Sequence, residues 1–275
     1  MAGLSSCIVL AMFNAFVVRF DPAIVHLGPL EIRWYGLMYV IGFVIGTYLY
    51  KRLIREGIFR LDIGKVDALV TYMLLGMFLG ARIVYVVVYN WPYYYNHLDE
   101  VIAVWKGGLS FHGGLIGLAV ALFLFAKKHK IPYLHLLDCA VLVSAQGPFF
   151  GRLGNFINGE LPGRVTDVPW AMIFLDAGPL PRHPSQLYES FFEGLVIFVI
   201  LWTLRKKVKS MGFIAGLYLI LYGTFRFFIE FVREPDVQLG KFFGDIFSMG
   251  QILCSLMIIA GILMCLYSRK QKLFR

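Results

Sequence analysis

Long apolar runs separated by short polar segments recur along the whole chain and give the first structural prediction. A membrane-spanning helix needs about 20 predominantly apolar residues, and seven stretches of this chain approach or reach that length. They are residues 34–50, 66–88, 113–126, 136–150, 187–204, 211–231 and 247–267. The third and fourth are short, so we expect them to extend into their polar flanks. The pattern predicts an all-α, polytopic integral membrane protein with about seven transmembrane helices and a small outer head.

The composition supports the bilayer as the solvent of this chain. Hydrophobic residues make up 59% and charged residues 16% of the 275 positions. Soluble domains average about 45–50% apolar and about 25% charged residues, so a soluble globule of this composition would lack a polar shell. The net charge of +9 could indicate nucleic acid, but the cations lie in short clusters between apolar runs. We therefore expect no nucleic acid as a partner.

The positions of lysine and arginine predict the orientation in the membrane. Basic clusters follow the first, third, fifth and seventh apolar runs, which places them all on one side. The clusters are Lys51, Arg52, Arg55, Arg60 and Lys65, then Lys127, Lys128 and Lys130, then Arg205, Lys206, Lys207 and Lys209, and finally Arg269, Lys270, Lys272 and Arg275. Because basic loops face the cytoplasm, the C-terminus is expected inside and the N-terminus outside.

The N-terminal segment and the domain organisation follow from the same pattern. Residues 4–18 are apolar but too short to span, so we expect them at the outer interface. A start of the native chain at Met12 is the alternative. We expect one transmembrane domain over residues 1–275, with small outer elements within about 89–112 and 152–186.

The four cysteines give no sign of a disulfide or of a metal site. Cys7, Cys139, Cys254 and Cys265 are flanked by apolar residues and have no metal-type spacing. Such cysteines behave as small buried hydrophobic residues. The sequence therefore predicts no metal and no cofactor.

A polar cluster at the outer end of the fourth run is the first candidate site. An ionisable group inside a membrane costs about 2.5–3.5 kcal/mol on insertion scales, yet Arg152, Asn155, Asn158 and Glu160 lie close together there. Arg152 and Asn155 are spaced i, i+3 and share a face if the helix continues. An arginine, amides and glycines together can hold a phosphate. The residues that predict a bend in this helix are Pro148, Gly151 and Gly154.

Two further positions in the apolar runs carry ionisable side chains. His112 lies where the third helix is predicted to begin, and a neutral imidazole there can accept a proton. A capping or interfacial histidine is the alternative interpretation. Arg82 lies within the second run, where we expect a structural cation that is paired or extends to the interface.

The fifth and sixth runs carry charged residues with helical spacing. Gln186, Glu189 and Glu193 fall at i, i+3 and i+7, which predicts one polar stripe on an apolar helix. Arg226 and Glu230 are spaced i, i+4 and can form an ion pair. Both features have a purely structural alternative, namely hydrogen bonding between helices and a buried ion pair.

The residues alone leave two classes of function open. One is a membrane enzyme that acts on a phospholipid, and the other is a transporter or a lipid-binding scaffold. Transporters tend to show inverted repeats with polar residues at the bilayer midplane. Here the polar residues lie toward the outer side and no repeat is visible, which favours the enzyme.

The chain resembles the prolipoprotein diacylglyceryl transferases of bacterial inner membranes, and six motifs carry the resemblance. They are RWYGLMY (33–39), GGLSFHGGLIG (107–117), GRLGNFINGE (151–160), RHPSQLYE (182–189), FRFFIEFVREPD (225–236) and SMGQIL (248–253). The similarity extends over about residues 20–267. Two departures are a longer N-terminus and a compact segment between Glu160 and Arg182.

The resemblance implies a specific reaction. The family transfers the diacylglyceryl group of phosphatidylglycerol to the lipobox cysteine thiol of a prolipoprotein, forming a thioether and releasing glycerol-1-phosphate. This reaction is the first step of bacterial lipoprotein maturation. The implied partners are phosphatidylglycerol, prolipoprotein signal peptides with a lipobox cysteine, and the bilayer of the bacterial inner membrane. We expect a monomer without a cofactor.

The resemblance also implies roles for single residues. The expected catalytic residues are Tyr35, His112, Arg152 and Arg226. The expected substrate-binding residues are Arg152, Asn155, Asn158, Glu160, Gly163, Gln186, Tyr188, Glu189 and Glu230. His112 is the best candidate for the general base, and Tyr35, or Arg152 acting through the phosphate, is the alternative.

Overall fold

The structure is a computed structural model that describes residues 15–27, 30–234, 241–242 and 247–271. Several sequence-based expectations lie outside the described residues. They concern the interfacial segment before residue 15, the start at Met12, the cysteine Cys7, the end of the REPD motif at Asp236, and the last basic residues Lys272 and Arg275.

Apolar helices dominate the described residues, which confirms the predicted fold class. Six segments are long and apolar enough to cross a membrane. The helices are α1 (Trp34–Arg55), α2 (Val66–Val84), α3 (Trp91–Tyr94), α4 (Phe111–His129), α5 (Tyr133–Ser144), α6 (Gly147–Ile157), α7 (Ser185–Glu189), α8 (Ile197–Leu204), α9 (Phe213–Ile229) and α10 (Met249–Ser268). Helix α9 occupies the predicted sixth run and is shorter, with 17 residues.

Two of the spanning segments contain π-helical turns, and a third segment consists of two consecutive helices. The π turn Tyr85–Tyr89 extends α2, and the π turn Ser190–Val196 joins α7 to α8. The fourth run is extended at both ends, as predicted, and forms α5 and α6 in one segment of 25 residues.

The helix break in this fourth segment lies elsewhere than predicted. Pro148 falls in the first turn of α6, where a proline is well tolerated, and Gly151 and Gly154 lie inside regular helix. The interruption is at Ala145 and Gln146. The Gln146 side chain there donates from Nε2 to the carbonyl oxygen of Gly42 at 3.0 Å, so it bonds to backbone outside its own helix.

Short strand pairs accompany the helices. The strands are β1 (Phe16–Val18), β2 (Ala23–Leu27), β3 (Leu30–Arg33), β4 (Met172–Phe174), β5 (Lys241–Phe242) and β6 (Phe247–Ser248). Strands β1 and β4 pair in parallel, with Phe16 opposite Met172. Strands β2 and β3 form an antiparallel hairpin that leads directly into α1, and β5 pairs antiparallel with β6 before α10.

The chain forms two compact units. The first unit runs up to Gly46 and resumes at Val141, and the second unit covers Thr47–Ala140. In the first unit, α6, α7 and the following π turn pack together, and α9 packs along α10. In the second unit, α2 packs along α4.

Glycines permit the close packing of α2 against α4. A Cβ atom at Gly117 would overlap the carbonyl oxygen of Gly76, and one at Gly80 would overlap the carbonyl oxygen of Gly113. Small residues let helix backbones approach closely where lipid provides no hydrophobic driving force between helices. The glycines next to His112 therefore serve the α2–α4 contact.

We expect Gly117→Ala to destabilise the protein by about 1–3 kcal/mol, the usual range for overpacking. Gly114→Ala on the same helix is the matched control, because its nearest neighbour, Cγ of Met77, would lie at an ordinary 3.5 Å. The midpoint of thermal unfolding in detergent is measured for both variants, with size-exclusion chromatography as the detection method. A Gly117→Ala midpoint equal to that of Gly114→Ala would contradict the packing argument.

Arg82 has a structural role, as expected, but its partners are backbone carbonyls. It is buried, and its guanidinium donates to carbonyl oxygens of the segment between α3 and α4 at 2.7 to 3.4 Å. The acceptors are Glu100, Val101, Ala103, Gly107 and Gly108. The ring of Tyr94 lies 5.2 Å from Cζ of Arg82. Arg82 thus fixes the segment between α3 and α4 that leads into α4.

Candidate functional site

The polar cluster predicted at the end of the fourth run forms a chain of hydrogen bonds. Arg152 donates from an Nη atom to Oδ1 of Asn155 at 3.3 Å, which confirms that the two residues share a helix face. Asn155 in turn donates to Oε2 of Glu160 at 3.0 Å. Asn158 donates to the other carboxylate oxygen of Glu160 at 3.2 Å. The amides therefore orient Arg152 and Glu160 relative to each other.

The predicted polar stripe on the fifth run is almost completely buried. Gln186 and Glu189 are each 1% exposed, and Glu193 is 0% exposed. Nε2 of Gln186 donates to the carbonyl oxygen of Glu160 at 2.6 Å, which attaches α7 to the segment after α6. Glu193 lies within the π turn Ser190–Val196, and π turns are frequent at functional sites.

Glu189 joins arginines from two different helices. Its Oε2 atom forms an ion pair with Nε of Arg152 on α6, and it lies 3.2 Å from an Nη atom of Arg226 on α9. Two guanidinium groups therefore converge on one carboxylate oxygen. Arg152 is still 24% exposed and Arg226 is 14% exposed, so the pair of cations is accessible from one side.

A second carboxylate holds Arg226 from its own helix. Oε2 of Glu230 lies 3.3 Å from the second Nη atom of Arg226, which confirms the predicted i, i+4 pair. The hydroxyl of Ser248 donates to the other oxygen of Glu230 at 3.1 Å. Arg233 approaches the same Glu230 oxygen at 3.8 Å and Oε1 of Glu189 at 3.9 Å. We call these groups the ion-pair cluster, which consists of Arg152, Arg226, Arg233, Glu189, Glu193 and Glu230.

Ser248 also begins helix α10 with a capping box. Its hydroxyl accepts from the backbone N–H of Gln251 at 3.2 Å, and the Gln251 side chain accepts from the backbone N–H of Ser248 at 3.0 Å. A capping box fixes the start of a helix. The start of α10 is therefore joined to Glu230, since a Cβ atom at Gly250 would lie 2.8 Å from that carboxylate.

Two glycines beside the cluster allow close approach of neighbouring groups. A Cβ atom at Gly154 would lie 2.9 Å from the ring of Tyr35, so Tyr35 packs directly on α6 between Arg152 and Asn155 in sequence. Tyr35 also shares a hydrogen bond of 2.9 Å with Tyr39. A Cβ atom at Gly163 would lie 2.5 Å from the carbonyl oxygen of Val232. Gly163 therefore permits the backbone contact that brings the Glu160 segment beside the end of α9.

Tyr188 belongs to a neighbouring group of aromatic side chains. Its hydroxyl accepts from Nε1 of Trp170 at 2.6 Å and lies 3.3 Å from Nδ1 of His183. Burial lowers the pKa of the His183 imidazole below its usual value. Among the described contacts, the Tyr188 hydroxyl therefore bonds to Trp170 and His183 and to no member of the ion-pair cluster.

His112 lies in the second unit of the chain. It is the second residue of α4, whose N-cap Ser110 accepts from the N–H of Gly113 at 3.1 Å. The His112 side chain is exposed, and its ring packs edge-on against Phe111. The start of the helix at this position is as predicted, while the other expected site residues all belong to the first unit.

Sequence reasoning did not assign Arg233 and Ser248 to the site. Arg233 follows Arg226 by seven residues, the spacing of two helical turns, and this periodicity was the available signal. Ser248 ends strand β6 and contacts Glu230 beyond the end of α9, a contact that no local pattern predicts. Glu193 was visible in the polar stripe, but its ionic neighbour Arg226 lies on another helix.

Comparisons with known proteins give one consistent result. The family model described as "Prolipoprotein diacylglyceryl transferase" matches residues 22–267. A phosphatidylglycerol–prolipoprotein diacylglyceryl transferase of Vibrio campbellii is 48% identical over 255 residues, which cover 93% of each chain. Proteins of the same name from Mannheimia succiniciproducens and Nitratidesulfovibrio vulgaris are 47% and 46% identical. They cover 95% and 89% of this chain, and this chain covers 98% and 93% of them.

Proposed function

Because this chain belongs to the prolipoprotein diacylglyceryl transferase family, we propose that its ion-pair cluster binds the phosphate of phosphatidylglycerol while the diacylglyceryl group is transferred to a prolipoprotein. The protein is a multi-pass membrane transferase of lipoprotein maturation. It moves the diacylglyceryl group of phosphatidylglycerol to a prolipoprotein, which is the function that the names of the curated relatives give. We propose the lipobox cysteine as the acceptor.

The chemistry exchanges one bond for another. The thiol sulfur attacks the diacylglyceryl carbon, so a C–S bond forms while the C–O bond to phosphate breaks. The electron pair of the broken bond stays on glycerol-1-phosphate, and the thiol proton passes to a base. Cations must therefore face the phosphate as its charge increases, and the sulfur must lose its proton.

The convergence of Arg152 and Arg226 on one Glu189 oxygen is the observation that carries this assignment. Arginines from two helices are held together by a buried carboxylate, and a guanidinium binds phosphate through a planar pair of donors without changing its protonation. We assign both arginines to the leaving phosphate. We assign Asn155, Asn158 and Glu160 to the same substrate-binding site, because a chain of hydrogen bonds connects them to Arg152.

The remaining expected site residues fall into two supporting roles. Gln186, Gly163 and Glu230 hold the segments around the arginines together. Tyr35 packs on α6 at Gly154, which lies between Arg152 and Asn155 in sequence. Tyr188 belongs to the neighbouring aromatic group, where its hydroxyl contacts His183.

A comparison of free energies indicates that the arginines lower the barrier to transfer at least as much as the base does. With a free pKa near 8.5, about 3% of a cysteine is thiolate at pH 7, so full activation gains at most about 2 kcal/mol. Removing a donor that stabilises developing negative charge costs about 3–4 kcal/mol. His112 is our candidate for the base, and Tyr35, or Arg152 acting through the phosphate, is the alternative.

The membrane topology completes the proposal. The basic clusters support an inner-membrane location with the C-terminus in the cytoplasm and the N-terminus in the periplasm. The protein is proposed to act as a monomeric transmembrane domain with outer elements within about 89–112 and 152–186. It is expected to act on prolipoprotein signal peptides, with no nucleic acid and no cofactor.

We predict transfer from phosphatidylglycerol and none above background from phosphatidylethanolamine. An ammonium headgroup would add a cation to a site whose phosphate ligands are guanidinium groups, whereas glycerol hydroxyls can bond to groups such as Asn155 and Glu160. The assay mixes purified protein in detergent with one lipid and a lipobox peptide, and mass spectrometry detects the thioether peptide.

A peptide with serine in place of the lipobox cysteine is the control for this assay. Equal rates with both lipids would contradict the headgroup assignment. Binding of phosphatidylglycerol without any thioether product would favour a lipid-binding scaffold.

A further inference from the structure

Glu193 is a buried carboxylate that the transfer mechanism leaves without a role. It is 0% exposed, and neither of its oxygens has a hydrogen-bond partner among the residues that the structure describes. Its ionic contact is loose, at 3.8 Å from an Nη atom of Arg226. A buried charge is costly unless it is paired and hydrogen-bonded, so this position calls for an explanation.

The other two carboxylates of the ion-pair cluster have closer partners. Glu189 contacts Arg152 and lies 3.2 Å from Arg226. Glu230 lies 3.3 Å from Arg226 and accepts a hydrogen bond of 3.1 Å from Ser248. Glu193 is therefore the member of the cluster whose negative charge is least stabilised.

With all six groups ionised, the formal charges of the ion-pair cluster sum to zero before a lipid binds. Three guanidinium groups face three carboxylates. A phosphodiester adds one negative charge, and the leaving monoester carries about −1.5 to −2 at pH 7. A site that is largely buried cannot screen this excess as water does, so one carboxylate has to become neutral.

Within the part of the chain that the structure describes, the surroundings of Glu193 offer no other simple means of compensation. The titratable and charged groups close enough to act on it electrostatically are Glu189 on its own helix, Arg152 on α6, Arg226, Tyr218 and Tyr222 on α9, Arg233 beyond α9, and Cys254 on α10. The arginines keep their charge, and the tyrosines and the cysteine are neutral when protonated. A change of charge at pH 7 therefore falls to a carboxylate.

We propose that Glu193 takes up one proton when the phosphodiester of the lipid enters the ion-pair cluster and releases it when glycerol-1-phosphate leaves. The inference rests on the proposed function of the cluster as the phosphate site. The proton comes from bulk water and returns to it, so the net reaction is unchanged. Neutral Glu193 also leaves Arg226 to Glu189, Glu230 and the phosphate.

Calorimetry in two buffers measures this proton directly. Purified protein in detergent is titrated with short-chain phosphatidylglycerol at one pH, in buffers with different ionisation enthalpies. We expect uptake of up to one proton per lipid. The affinity for the lipid should then fall by up to about tenfold for each unit by which the pH rises, the limit for one proton. The lipid itself is a phosphodiester and does not titrate in this range.

Glu193→Gln is the decisive variant, and Tyr218→Phe is the matched control. The glutamine variant should bind the lipid with no proton uptake and with an affinity that no longer falls with pH. Tyr218→Phe removes another buried titratable group near Glu193 and should keep the proton uptake of the wild type. Uptake that persists in a folded Glu193→Gln variant would overturn the proposal.

Infrared difference spectroscopy on the wild type gives a second test that needs no variant. Addition of phosphatidylglycerol should produce the carbonyl band of a protonated carboxylic acid, which a histidine cannot produce. This band shifts in heavy water, which distinguishes it from the ester carbonyl bands of the lipid itself. Lipid binding without this band and without proton uptake would overturn the role of Glu193. Absence of any lipid binding would instead contradict the proposed function.

Discussion

Arg152→Lys is expected to reduce the rate of thioether formation by about 10²–10³-fold, nearly as much as Arg152→Ala. Arg152 uses different nitrogens for its two partners, with Nε toward Glu189 and an Nη atom toward Asn155. A lysine ammonium is a point charge on a flexible stem and cannot reproduce this planar arrangement. The charge would remain, but its position relative to the phosphate would be lost.

Steady-state kinetics with phosphatidylglycerol and a lipobox peptide test this expectation. Arg52→Lys is a suitable control, because Arg52 forms an exposed i, i+4 pair with Glu56, and such pairs contribute little. Its kcat/KM should match that of the wild type. Near-normal turnover of Arg152→Lys would show that positive charge alone is sufficient at this position.

His112→Gln is expected to lower the transfer rate by about 10²-fold or more at pH 7, the contribution of a general base. His112 is exposed in the first turn of α4. A neutral imidazole can accept the thiol proton. Glutamine keeps a hydrogen-bonding side chain but cannot act as the base, so lipid binding should persist.

The pH profile separates a general base from a binding residue. The thiolate fraction of a free cysteine rises roughly 20-fold or more between pH 7 and 9, so the Gln variant should recover part of its rate as the thiol ionises unaided. Rates of both proteins are compared at saturating lipid. A difference that stays constant from about pH 6 to 9 would rule out the general-base role and leave His112 as a binding or structural residue.

The spanning helices could be predicted from sequence because each is a long, predominantly apolar run bounded by polar residues. The break between α5 and α6 could not. Glycines have poor helix propensity, which predicted a bend at Gly151 and Gly154, yet both are helical, and Tyr35 packs closely against Gly154. Tertiary contacts decide between these outcomes, and a single sequence does not contain them in readable form.

The site shows the same division between local and non-local information. Arg152 with Asn155 and Arg226 with Glu230 follow from helical spacing, and both pairs are present. The contact that unites them is the Glu189 carboxylate, which meets arginines 37 residues distant in sequence on either side. Helix packing creates this contact, so local patterns indicated the ingredients of the cluster without its arrangement.

The carbonyl bonds of Arg82 have a consequence for the biogenesis of the protein. When α2 first enters the bilayer from the translocon, the guanidinium has none of the partners that the Glu100–Gly108 backbone later supplies, and insertion scales assign such a residue about 2.5–3.5 kcal/mol. The cost falls once the segment between α3 and α4 folds and α4 follows, with Gly117 packing against Gly76. Insertion of α2 and α4 is therefore expected to be coupled, with the two helices released into the lipid as a hairpin.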